Sequence, residues 1–185
     1  QGYVFLRRLR EVRDTILPRY QPRGRHPFLI SLGLGWQLPF RGDWDCKQRY
    51  GYDPEYAGNN LHTHYGLDFN HRTRRYGEPF YPVAPGVIVF NGWGPPQWFT
   101  GASYGAWGWY TEIEHAPGLR TGYCHASQFM RWRPGAPITP DMAIVWVGDS
   151  GMTFGYHLHF QRLEMQEGLW VRTDPTPWLP PFQMA

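Results

Sequence analysis

The chain has 185 residues, with 18 Lys or Arg against 15 Asp or Glu, a net charge of +3. That balance, with no basic run interleaved by aromatics, argues against nucleic acid as a partner, and no apolar stretch of about 18 residues is present to span a bilayer. The 22 Gly, the 18 Pro and an aromatic share of 18% suit a single domain of short strands joined by turns, not a helical bundle.

In chain order, Phe5, Leu9, Val12 and Ile16 recur at helical spacing with Arg7, Arg8, Arg10 and Arg13 between them, which predicts an amphipathic helix over 3–17 that stops at Pro18. Its apolar stripe is expected to pack on the domain, with a surface or partner contact as the alternative. Residues 18–27 read as linker, so residues 1–29 form an N-terminal extension and 30–185 the main domain. No secretory signal pattern is visible at the amino end. The long segment 41–60 is expected to form one wall of a groove.

The run His64-Tyr65-Gly66-Leu67-Asp68-Phe69 alternates. If extended, it places His64, Gly66 and Asp68 on one face and Tyr65, Leu67 and Phe69 on the other. Gly66 leaves no side chain between the imidazole and the carboxylate, so both can converge on one ion. A strand is predicted over 87–91. The stretch 92–108 holds Trp93, Trp98, Phe99 and Trp107 among several glycines. It is expected to wall the groove, with Trp98 and Trp107 on the substrate.

Strands are next predicted over 109–115 and 120–125, joined by a hairpin turn at Ala116-Pro117-Gly118. His115, just before the turn, is expected to be solvated. The second strand carries Tyr123-Cys124-His125. Tyr123 should share a face with His125, as a hydroxyl beside a site or as a half-buried sheet aromatic. Cys124 raises the possibility of a thiol hydrolase. Strand alternation opposes it, because Cys124 should face the core if His125 faces the groove. Cys46 and Cys124 could pair in an oxidising compartment.

The last strands are expected over 143–147 and 156–163. In Tyr156-His157-Leu158-His159-Phe160-Gln161, Tyr156, Leu158 and Phe160 form the core face. His157 and His159 line the other face, about 7 Å apart at roughly 3.3 Å per residue. Three separated segments thus offer His64, Asp68, His125 and the His157/His159 pair. Two histidines and one carboxylate, with a fourth position left to water, is the ligand count of a catalytic zinc site. Which of His157 and His159 would bind the metal is open at this level.

The chain resembles the lysostaphin-type (LytM-like) zinc metallopeptidases that cut peptidoglycan. Their His-x-x-x-Asp, Tyr-x-His and His-x-His motifs recur in order as His64 to Asp68, Tyr123 to His125 and His157 to His159. Flanking text agrees at Tyr81-Pro82-Val83-Ala84-Pro85-Gly86-Val87, Val147-Gly148-Asp149-Ser150-Gly151 and Asp174-Pro175. Departures are Ala126 after the second motif and Met152-Thr153-Phe154-Gly155-Tyr156 before the third, which bear on substrate choice. The resemblance implies a mainly β, antiparallel domain with an open groove, one zinc per chain on His64, Asp68 and His159, and catalytic roles for His125 and His157. It further implies hydrolysis of peptide bonds in peptidoglycan stems or cross-bridges, in an extracellular or cell-envelope location. The alternative is a non-catalytic LytM-like module that binds wall or serves a larger envelope or virion assembly; the five filled key positions argue against it.

Overall fold

A computed structural model describes residues 35–51, 64–72, 76–94, 106–127 and 132–184. The helix and linker expected within 1–29 lie outside these residues, as does Trp98. The described chain is mainly β, as expected. Its strands are β1 (Trp44–Gln48), β2 (Leu67–His71), β3 (Pro79–Phe80), β4 (Gly86–Trp93), β5 (Trp109–Ala116), β6 (Leu119–Ala126), β7 (Pro137–Ile138), β8 (Val145–Trp146), β9 (Leu158–Gln166), β10 (Leu169–Thr173) and β11 (Gln183–Met184). Nine form one sheet in the order β11-β1-β2-β9-β6-β5-β4-β7, with β10 also on β9; β3 and β8 make a separate pair. Pairing is antiparallel except between β1 and β11.

Period-two patterning explains the sheet's inner face. Leu67 and Phe69 on β2, Tyr123 on β6, and Leu158 and Phe160 on β9 are fully buried together with Phe80 and Trp36. Tyr123 meets Phe160 at 5.4 Å between ring centroids, and Trp44 meets Phe80 at 4.9 Å. Each such side chain contributes about 1.5–3 kcal/mol by leaving water. The β5–β6 hairpin closes at Pro117-Gly118, with Gly118 at φ +78°. A second turn position with positive φ, after a proline that pre-sets the first, is what a tight turn of this kind requires.

Three local expectations change. The strand expected over 143–147 shrinks to Val145–Trp146, which pair with the two residues of β3, while Val147 makes only an isolated bridge to Ala126. Strand β9 begins at Leu158, so Tyr156 escapes the core face; it is 37% exposed and packs edge-on against Tyr76. His115 is buried, not solvated. Its Nδ1–H donates to the Pro85 carbonyl at 2.9 Å, its Nε2 lies 2.7 Å from Thr121 Oγ1, and its ring packs against Trp36.

Candidate metal centre

Asp68 and His159 are direct cross-strand partners on β2 and β9, so their side chains emerge side by side on the sheet face opposite the main core. Gly66 makes room for them. A Cβ at this position would lie 2.6 Å from the Phe160 carbonyl oxygen and 2.8 Å from His159 Nε2, so any side chain here would push His159 away. His64 is anchored by two backbone hydrogen bonds with Gly51, at 2.7 and 2.9 Å. The result is a tight triangle. His159 Nδ1 lies 2.7 Å from Asp68 Oδ1 and 2.9 Å from His64 Nε2, and His64 Nε2 lies 3.2 Å from Asp68 Oδ1.

The surroundings fix the chemistry of these atoms. His64 Nδ1 is 2.7 Å from the Arg49 carbonyl oxygen; a carbonyl only accepts, so Nδ1 carries the proton and the Nε2 lone pair points into the triangle. Burial opposes the Asp68 charge, but the neighbouring His159, its hydrogen bond and the adjacent His64 outweigh it and hold the carboxyl below the ordinary range. Burial pushes the His159 imidazole down, against the pull of Asp68. Two neutral imidazoles and an ionised carboxylate are the donor set of a catalytic zinc site. The triangle's edges are close to the roughly 3.3 Å expected between ligands about 2.05 Å from a tetrahedral centre. Zinc therefore fits His64, Asp68 and His159, the group among the described residues able to hold a metal.

Two more histidines face this triangle. His157 sits just before β9, its Nε2 3.8 Å from Asp68 Oδ2. His125 ends the regular part of β6 with φ +59°, a left-handed conformation that histidine adopts more readily than most residues. That twist takes His125 out of strand alternation and swings its ring to 4.7 Å from His157 and 5.9 Å from His159. Burial, then the neighbouring His157 and His159, push His125 down to about 3.

Strand register overturns the expected placement of two neighbours. Cys124 pairs with His159 in register and shares its sheet face, not the main core. It is nonetheless sealed beneath Trp107 and Tyr110. Burial raises its thiol pKa well above the usual value, which makes it a packing residue and not a nucleophile. Both cysteines are buried, and they are not bonded to each other. Tyr123 lies on the opposite face from His159, fully buried, accepting a hydrogen bond from the Val83 amide at 3.1 Å. Tyr123 is thus a core aromatic of the sheet and not a hydroxyl beside the triangle.

The cleft above the triangle is lined by Gln48, Asn70, Met152, Thr153 and Phe154 besides the histidines and Asp68. Trp107 does not line it. It is 7% exposed and packed 4.9 Å from Tyr110, and its carbonyl accepts the His125 amide. Residues 41–51 do supply one wall, through Gln48. The exposed apolar rim comes instead from Met152 and Phe154, in the segment where the motif text departs from its pattern. Sequence reasoning gave no role to Ser150, Gln161 or the Arg49 carbonyl. Ser150 was visible only inside a flanking turn, and Gln161 only as a third member of the His157/His159 face.

A family model described as Peptidase family M23 matches residues 62–170. The chain is 32% identical over 133 residues to the glycyl-glycine endopeptidase ALE-1 of Staphylococcus capitis, covering 72% of this chain and 33% of that protein. It is equally similar, 32% over 133 residues, to lysostaphin of Staphylococcus simulans, covering 72% of this chain and 24% of that protein. The chain thus spans a third or less of the curated relatives it matches. Among solved structures, the catalytic domain of the antimicrobial peptidase lysostaphin from Staphylococcus simulans aligns with a TM-score of 0.56 and 28% identity, over 73% of this chain and 91% of that one.

Proposed function

The chain belongs to peptidase family M23, and from that premise we propose that it is a zinc metalloendopeptidase hydrolysing peptide bonds in peptidoglycan stems or cross-bridges, with its peptidase domain over residues 30–185. The observation that carries this reading is the triangle of His64, Asp68 and His159 with two further imidazoles turned toward it over an open cleft. In the proposed assignment His64 Nε2, Asp68 Oδ1 and His159 Nδ1 hold the metal. When bound, zinc supplies a Lewis acid for the scissile carbonyl and makes water acidic enough to attack near neutral pH.

The chain's own residues do the rest. His125 Nδ1–H donates to the Ser150 carbonyl at 2.8 Å, and His157 Nδ1–H to the Gly155 carbonyl at 2.9 Å. Each Nε2 is therefore left with its lone pair; His157 is suited to take a proton from the attacking water and return it to the departing amine, while burial keeps His125 a neutral hydrogen-bond acceptor. Once protonated, the His157 Nε2–H can donate to the oxygen on which charge develops. Met152 and Phe154 give the cleft an apolar rim against which a peptide can lie. No helix among the described residues is long and apolar enough to cross a membrane. In this reading the protein works on wall peptides in the extracellular space or cell envelope.

The test is digestion of purified peptidoglycan of defined cross-bridge chemistry, followed by mass spectrometry, with a chelator-treated control and zinc added back. Release of stem or bridge fragments that stops with chelator and returns with zinc is the expected result. Intact wall in every arm, from protein that holds one zinc per chain, would overturn the hydrolase reading.

A further inference from the structure

Gln161 lies two residues beyond His159 on β9 and is fully buried. Its Nε2 is 2.9 Å from His159 Nε2. Its Oε1 has no hydrogen-bond partner among the described residues. A buried carbonyl oxygen left unpaired costs about 1–3 kcal/mol, so this amide has a reason to be there beyond packing.

The hydrogen-bond bookkeeping supplies it. An amide NH2 only donates. With Gln161 Nε2 facing the ring, His159 Nε2 must be the acceptor, and the ring proton sits on Nδ1. That Nδ1–H donates to Asp68 Oδ1, 2.7 Å away. The ring then shows the triangle a proton where a metal needs a lone pair. Rotating the amide by half a turn reverses this. Oε1 then accepts from His159 Nε2–H, and the Nδ1 lone pair joins those of His64 Nε2 and Asp68 Oδ1.

We propose that Gln161 is a positioning residue whose amide rotates as the metal enters, holding the Nδ1–H tautomer of His159 without metal and the Nε2–H tautomer with it. This rests on the assignment of zinc to His64, Asp68 and His159. The other imidazole needs no such device: the Arg49 carbonyl locks His64 in one tautomer permanently. A carboxylate or a backbone carbonyl beside His159 would likewise serve only the loaded state. The glutamine serves both, because it carries a donor and an acceptor on one rotatable group.

Zinc affinity, read by competition with a chromogenic chelator, separates this role from packing. Gln161→Met keeps the bulk and removes both polar groups. We expect its zinc Kd to rise about 10–100-fold, the usual loss for an outer-shell partner, while its metal-free form melts near the wild-type temperature, because the orphan oxygen it removes offsets the unpaired His159 Nε2 it leaves. Gln161→Glu keeps an acceptor and should bind zinc within about threefold of wild type. Gln161→Met binding zinc as tightly as wild type would overturn the proposal. A second measurement needs no variant. Long-range 1H–15N spectra of wild-type protein should show the His159 proton on Nδ1 without zinc and on Nε2 with it. The same tautomer in both states would also overturn the proposal. Wild-type protein that binds no zinc would instead sink the metal assignment on which it rests.

Discussion

The rings of His125 and His157 lie 4.7 Å apart, and each is tethered through Nδ1 to a carbonyl of the same loop, Ser150 and Gly155 respectively. The loop is itself pinned to the sheet. Ser150 Oγ donates to the Ala126 carbonyl at 2.6 Å and accepts the Trp109 amide at 2.9 Å. One short segment thus orients two imidazoles, and neither is among the three donors of the triangle.

This division of labour predicts a split between metal content and turnover. Under the proposed assignment His159→Ala removes one of three protein ligands and should lose most of the zinc. His157→Ala and His125→Ala should keep about one zinc per chain while activity falls by about 10²–10³, the usual loss for one transition-state hydrogen bond. Elemental analysis beside turnover on a cross-bridge peptide checks all three. Zinc lost from His157→Ala but kept by His159→Ala would reverse the assignment.

Gly66→Ala tests the packing behind the site. The added Cβ would meet the Phe160 carbonyl oxygen at 2.6 Å and His159 Nε2 at 2.8 Å; the carbonyl cannot yield without moving β9, and the ring can yield only by leaving its place in the triangle. We expect a loss of about 1–3 kcal/mol in stability from overpacking, together with weaker zinc binding. Urea denaturation and chelator competition measure the two effects. An unchanged zinc Kd would show that His159 tolerates displacement.

The aromatics near the cleft should divide by burial. Phe154 is fully exposed at the rim, so Phe154→Ala should alter stability by no more than about 0.5 kcal/mol and raise KM for wall fragments. Trp107 is packed on Tyr110, so Trp107→Ala should cost about 3–5 kcal/mol. Thermal melts and steady-state kinetics on both variants discriminate. Equal KM values for Phe154→Ala and wild type would remove the rim from substrate contact.

His115 sets a pH dependence of folding remote from the metal site. Burial pushes its imidazole down to about 4, against about 6.5 in an unfolded chain. Between these values the unfolded state binds more protons, so stability rises with pH across the window. The contribution is complete above about pH 6.5 and is lost as pH falls toward 4, amounting to about 3 kcal/mol at 1.36 kcal/mol per pH unit. Urea titrations at pH 7 and pH 5 should show wild type losing more stability than His115→Gln. Equal losses in the two proteins would exclude His115 as the source.

How much of this was legible in the sequence follows from how local each signal is. Period-two alternation is a property of one strand. It therefore read the shared face of His64, Gly66 and Asp68, the core face of Leu158 and Phe160, and the need for a glycine between imidazole and carboxylate. The family resemblance carried the choice of His159 over His157 and the antiparallel class, while turns and patterning along the chain gave the short strands. Other features depend on partners far away in sequence. The φ of +59° at His125 breaks the alternation that the local text implies, so the ring reaches the site although its register neighbours put Cys124 on the site face and Tyr123 in the core. Trp107 looked like a groove wall because a tryptophan among glycines shows no sign of the Tyr110 ring that buries it. Ser150 and Gln161 acquire roles only when β9 pairs with β6 and β2 and the 150–155 loop folds back over them. Strand periodicity is encoded between adjacent residues, whereas backbone twist, cross-strand register and hydrogen-bond partners are decided by contacts between distant ones, and those exist only in the folded sheet.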